Sequence, residues 1–238
     1  MNIELLLGFI ALCTSIVAGV FGFGGGMLLI AILPVFLPPS LLIPIHGITQ
    51  LASNSSRMLF SLTDVKWSLL PKFFIGSLVG TLLFGYIIYN MPTTYLPLAI
   101  GLYILLNLWS PDFSKFMRRF ESYYVIGFSQ TGLGLIVGAT GPLSLSILTK
   151  QLQSKDEIIA TSSLFMTISH LAKIPVFLAI GAALLTHLNL IVTMVLGSVL
   201  GSYVGTKLRL KADNDKLVWL IKILLTLLAI HMIANVFW

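Results

Sequence analysis

Lys173 stands inside an apolar stretch of the chain, residues 157–184, and no Asp or Glu lies in the interior of any apolar run to neutralise it. An ammonium at bilayer depth costs roughly 2.5–3.5 kcal/mol on insertion scales. Such a group needs a counter-charge, and an anionic ligand is the natural one. The plain alternative is that the amine snorkels or donates to carbonyls of a neighbouring helix. His170, three residues earlier, shares a helix face with Lys173 and can donate to an anion, titrate near neutral pH or serve as a structural donor.

A second set of polar residues lies on an earlier apolar run, residues 41–62. Gln50, Ser53, Asn54 and Arg57 recur at i, i+3, i+4 and i+7, with Thr49 beside the first of them. That spacing makes a polar stripe that must face protein or water rather than lipid. It forms one wall of an anion path, or it binds neighbouring helices through side-chain hydrogen bonds. Arg57 is expected near the membrane interface, paired with Asp64. Thr161 and Ser162 sit on the corresponding later helix.

Backbone donors are the third ingredient of an anion site. Gly22-Phe-Gly-Gly-Gly26 and Gly138-Ala-Thr-Gly-Pro142 interrupt apolar runs, and each is followed by a piece of only about 10–12 residues. At 1.5 Å per residue such a piece covers about half of the hydrocarbon thickness. Both motifs therefore read as turning points of broken or re-entrant helices, whose freed N–H groups need partners. Gly24, Gly25 and Gly26 on one tip, and Thr140, Gly141 and Pro142 on the other, become candidate ligand contacts. The simpler reading is that these glycines only permit close packing.

The elements that carry these groups follow from composition. Of the 238 residues 57% are apolar and 9% charged, where soluble domains hold roughly a quarter charged residues. Lipid is the expected solvent. Apolar runs lie at about 3–21, 27–37, 41–62, 68–90 and 94–110, and again at 122–138, 141–150, 157–184, 188–207 and 216–237. In hydrocarbon such runs are helices, since only a helix satisfies its own backbone. Gly76 and Gly80 correspond to Gly197 and Gly201 at small-xxx-small spacing. The reading is an all-α integral membrane protein of two related repeats, residues 1–110 and 122–238, joined by a linker at 111–121.

Loop charge orients the repeats. If each is a hairpin followed by three crossings, one side holds Lys66, Lys72, Lys115, Arg118, Arg119, Lys150, Lys155, Lys207, Arg209, Lys211 and Lys216. The turns at 38–40, 91–93 and 185–187 on the other side hold no Lys or Arg. The positive-inside rule then places the basic loops in the cytoplasm and both termini outside, with the repeats inverted relative to each other. Inverted repeats with discontinuous helices commonly put a substrate site near the midplane. The net charge of +6 belongs to these short loops, so nucleic acid is not an expected partner; a small anion and the lipid bilayer are. No basic region or small-residue cleavage site precedes the first run, which is expected to remain in the protein. Cys13 is the single cysteine, so no internal disulfide forms. No nucleotide or conventional metal motif calls for a cofactor.

Taken together, Gly22-Phe-Gly-Gly-Gly26 with Pro34, Gly47-Ile-Thr49, Val65-Lys66-Trp67, Pro71 with Gly76 and Gly80, and the second copy Gly138-Ala-Thr-Gly-Pro142 with Ala160-Thr-Ser162 resemble the TauE/SafE family of sulfite and organosulfonate exporters. The resemblance runs through nearly the whole chain. It implies secondary transport of sulfur oxyanions or small sulfonates across a bacterial-type inner membrane. The second tip departs from the first at Ala139, Thr140 and Pro142. Two other classes are weighed against a carrier. A membrane enzyme would use Ser144 or Ser146 with His170, but the Gly-x-Ser-x-Gly setting of many hydrolases is absent. A non-transporting assembly partner would have no use for Lys173.

Overall fold

The computed structural model describes residues 2–22, 24–117, 119, 121–182, 184–208 and 215–237. Among them Arg118, Arg209 and Lys211, counted above among the basic loop residues, are not included. All regular structure in the described residues is helical. The first half contains α1 (Ile3–Phe21), α2 (Gly25–Ile32), α3 (Pro39–Leu59), α4 (Leu70–Tyr89) and α5 (Leu96–Trp109). After a short α6 (Pro111–Met117) come α7 (Tyr123–Val137), α8 (Gly141–Gln151), α9 (Lys155–Leu171), α10 (Lys173–Ala179), α11 (Leu188–Leu208) and α12 (Asp215–Phe237).

Local chemistry sets many of these boundaries. Asn2 caps α1, its Oδ1 accepting from the Glu4 N–H at 3.0 Å. Helices α3, α4, α5 and α8 each begin with a proline in the first turn, where the missing N–H costs nothing. The run expected as one helix over 157–184 is broken at Ala172, between α9 and α10. Pro175 cannot donate to the Leu171 carbonyl, which is where the ladder opens. The linker at 111–121 contains a helix that hydropathy does not signal. Ser110 Oγ accepts from the Phe113 N–H at 3.2 Å, and α6 turns 95° away from α5.

Among the described residues five helical stretches are long and apolar enough to span a bilayer: Ile3–Phe21, Trp67–Tyr89, Lys155–Ala179, Leu184–Leu208 and Val218–Phe237. A sixth is added if the bent α5–α6 pair counts as one. Helix α3 has the length, at 21 residues, but its polar stripe lowers its hydropathy. Large apolar side chains face outward, among them Leu82, Leu185 and Tyr86, while Ser, Thr, Gln, His, Arg and Lys side chains fill the interior. Such an inverted distribution suits a lipid solvent, and the chain is a multi-pass membrane protein.

Two helix pairs hold the bundle through the expected glycines. In the parallel pair α1–α11, a Cβ on Gly197 or Gly201 would strike the carbonyl oxygen of Gly8 or Leu12. In the parallel pair α4–α7, a Cβ on Gly76 or Gly80 would strike that of Tyr124 or Phe128. Gly8 and Leu12 precede Tyr124 and Phe128 by the same interval that separates Gly22 from Gly138. Each half thus contributes one helix to each pair. Two further pairs, α3–α9 and α5–α12, run antiparallel. His46 of α3 meets His170 of α9, and Gly101 of α5 meets Ala229 and Ile233 of α12, whereas Trp109 donates to Thr226 Oγ1 at 2.8 Å.

Candidate functional site

Helix α1 ends where Gly22 adopts φ +82° and its N–H bonds the Ala18 carbonyl at 2.9 Å. Gly24 follows at φ +88°, and α2 starts back at Gly25. A Cβ at Gly25 would overlap the Thr14 carbonyl, so only glycine lets α2 double back this closely on α1. The second tip repeats the device. Gly138, at φ +79°, bonds the Gly134 carbonyl at 3.1 Å, and α8 restarts at Gly141. The two tips meet: an added Cβ on Gly26 would sit 3.9 Å from Ala139 Cβ.

Between them lies a cavity of about 30 Å³, room for about two waters. Its walls are Gly22, Gly24, Gly26 and Met27 of the first hairpin, Ala139, Gly141 and Pro142 of the second, Gln50, Asn54 and Arg57 of α3, and Ser162 and Met166 of α9. A wider cavity of about 410 Å³ shares Met27 and Pro142 with it and runs past Asn107, Ser114 and Met117 to Lys150. The tip cavity therefore adjoins the wider one, whose walls come mainly from α5, α6 and α8.

The residues expected at the site divide into two layers. Gly24, Gly26, Gln50, Asn54, Gly141, Pro142 and Ser162 line the cavity. Gly25, Thr49, Ser53, Thr140, Thr161, His170 and Lys173 stand behind it and hold its walls. Thr49 Oγ1 donates to the Ile45 carbonyl at 2.9 Å, and Ser53 Oγ contacts Ser202 Oγ of α11 at 3.0 Å. Thr161 Oγ1 accepts the Lys66 N–H at 3.0 Å, fixing the chain after α3. Thr140 Oγ1 donates to the Gln130 carbonyl at 2.8 Å. Lys173, 1% exposed, donates from Nζ to the Gly138 carbonyl and lies 3.0 Å from His170 Nδ1. Ser144 Oγ bonds the Gly141 carbonyl and Ser162 Oγ, and Ser146 Oγ bonds the Leu143 carbonyl.

Two residues matter here that the sequence did not single out, His46 and Gln130, and a third, Arg57, sits closer to the site than expected: it is 2% exposed and reaches the cavity, with Nη2 donating to Ser53 Oγ at 3.1 Å and Nη1 to Asn54 Oδ1 at 3.3 Å. Beside it the Gln50 Nε2 amide is buried with no partner among the described residues. His46 donates from Nε2 to the Gly26 carbonyl at 2.9 Å and so holds the first tip. It lies one turn before Gln50, and extending the stripe back by i−4 finds it. Gln130 of α7 accepts the Ser144 N–H at Oε1, 3.0 Å, and donates to Ser169 Oγ at 3.1 Å, anchoring the second tip.

A guanidinium, an amide nitrogen without a partner among the described residues and two glycine tips around one cavity could offer donors to a small oxyanion, because the planar Arg fork matches two oxygens at once. The model of the family described as sulfite exporter TauE/SafE matches residues 7–232. The chain belongs to this family. No curated protein and no solved structure matches it. The match spans both halves, both tips and all the residues of the cavity, and it makes this chain a membrane transporter of the sulfite exporter kind.

Proposed function

We propose that the protein is a secondary carrier that exports a small sulfur oxyanion or organosulfonate, of the sulfite or sulfoacetate type, across the cytoplasmic membrane through the cavity between the two tips. The observation that carries this reading is Arg57, buried beside the Gln50 Nε2, which has no partner among the described residues, where both hairpins converge. Arg57 and Gln50 grip the anion, Asn54 and Ser162 complete the polar wall, and the glycine-rich backbones of the tips approach from either side. Lys173 and His170 act one layer back, where they hold the second tip and add positive potential. At about 30 Å³ the cavity has room only for water-sized contents, so loading of a larger anion needs its walls to part.

The directions of the helix pairs support an inverted pair of repeats. Parallel α1–α11 and α4–α7 together with antiparallel α3–α9 and α5–α12 fit hairpins that enter from opposite faces. A chain in which each half crossed four times would run α3 alongside α9 in the same direction. On this reading the basic loops are cytoplasmic and both termini lie outside.

Purified protein should be stabilised by sulfite in a thermal-shift titration, and by sulfoacetate if sulfonates are substrates. Arg57→Met should weaken binding by roughly 10- to 100-fold, the value of a hydrogen bond to a charged group. Lys173→Met should weaken it less. Unchanged sulfite affinity in folded Arg57→Met protein would remove the site.

A further inference from the structure

Lys222 stands two turns into α12, about 10 Å along the helix from its start. It falls inside Val218–Phe237, a stretch apolar enough to span the bilayer. Its Nζ lies over the Trp109 ring of α5, 4.1 Å from the centroid, and the same indole donates to Thr226 Oγ1. Lys115 of α6 shares with Lys222 a cavity of about 460 Å³, whose walls also include Trp109, Ser110 and Ser114. Neither lysine forms an ion pair with a carboxylate among the described residues.

A smaller cavity of about 100 Å³ shares Leu108 and Lys222 with this one, and its other walls are apolar: Phe21 of α1 with Val218, Ile221 and Leu225 of α12. Gly24 and Met27 of the first hairpin complete it, and both also line the tip cavity. Helix α12 stands against lipid. Of its described side chains only Leu225, Ala229 and Met232 are buried, while Trp219, Leu220, Leu224 and Leu227 face outward. Helix α6 turns 95° from α5, so where α5 crosses the bilayer α6 runs along its surface. An exposed indole beside lysines at that bend sits at headgroup level, where Trp and the ends of Lys side chains collect.

We propose that the groove between α5, α6 and α12 binds an anionic phospholipid of the adjoining leaflet, with its phosphate between Lys115 and Lys222 and an acyl chain in the apolar cleft beside the first tip. Charge and shape select this ligand together. Two ammonium groups without a carboxylate at headgroup depth call for a phosphate, and basic pockets between membrane helices hold such heads. A free phosphate meets the lysines but has nothing to place against Phe21, Val218 and Leu225. A zwitterionic lipid fills the cleft but brings its own ammonium to the lysines. A chain seated in the cleft packs on Gly24 and Met27 and so restrains the first tip. This binding does not depend on what the tip cavity carries.

The test is native mass spectrometry of the full-length protein titrated with phosphatidylglycerol or phosphatidylcholine of identical chains, and with glycerol phosphate as the head without chains. Wild type should prefer phosphatidylglycerol to both. Lys115→Gln combined with Lys222→Gln should weaken that lipid roughly 30-fold, about fivefold for each ammonium. Lys216→Gln, on the first turn of α12 and outside both cavities, should leave its affinity unchanged. Val218→Trp keeps both lysines but fills the cleft, and should release the lipid as well. Backbone hydrogen exchange at residues 24–27 should slow when phosphatidylglycerol is added to wild type. Equal affinity of wild type for the two lipids overturns the site without recourse to any variant, and so does full affinity in the folded double variant. Glycerol phosphate bound as tightly as the lipid, or full lipid binding by Val218→Trp, overturns the lipid in favour of a soluble phosphate. Exchange at 24–27 that ignores the lipid overturns its contact with the first tip.

Discussion

At the first tip, Gly22, Gly24 and Gly25 make the reversal, and the side-chain bond found on its backbone among the described residues is the one His46 gives Gly26. At the second tip, Gln130 takes the Ser144 N–H on its amide oxygen and the Thr140 hydroxyl on its carbonyl, and Lys173 takes hold of Gly138. The frames beneath them are the same: a glycine-faced helix from the other half packs parallel to the first arm in each case. The contact that aligns the arms is alike in the two halves, and among the described residues the second tip carries more side-chain tethers than the first.

The comparison breaks most visibly in the frame. Gly80→Leu and Gly201→Leu each drive a side chain into a backbone carbonyl of the partner helix, and since even yielding cores lose about 1–3 kcal/mol to overpacking, neither should give folded protein. Aggregated profiles for both in fluorescence-detected size exclusion are expected, and a monodisperse peak for one would end the equivalence of the two pairs. The tethers come next. Amides at the first tip should exchange hydrogen faster than those at the second, and Gln130→Leu should erase the difference at a cost of about 1–3 kcal/mol for the unpaired groups left behind. The smallest effect separates two glycines of one tip. Gly24→Ala meets no atom within 4 Å, leaving only the positive-φ strain, about 1–2 kcal/mol. Gly22→Ala adds a collision with Ile159 and should lower the melting temperature further.

The helices were legible in sequence because long apolar runs end at charged loops, and bilayer hydrophobicity writes both features directly. The glycine hairpins were legible for the same reason: a half-length apolar piece after a glycine cluster has few other uses. Arg57 was read from its position along α3, and its place in the cavity wall follows only once the two hairpins have folded in. His46 went unremarked, since its partner, the Gly26 carbonyl, comes within reach only once α2 has turned back. Helix α6 escaped because a proline next to aspartate reads as a loop, whereas the Ser110 cap and the sharp bend after α5 make it a helix. Lys173 was found through its cost. Its tie to the Gly138 carbonyl depends on where the second tip comes to rest.

The parallel pairing of α1 with α11 also bears on how the protein is made. Helix α1 leaves the ribosome roughly 190 residues ahead of its glycine-lined partner, so the face around Gly8 and Leu12 stays uncovered until α11 emerges. At synthesis speeds of about 5–20 residues per second, that wait lasts on the order of 10–40 seconds. During it the newborn α1 is held by lipid or by the insertion machinery, and a chain cut short before α11 can never close the pair.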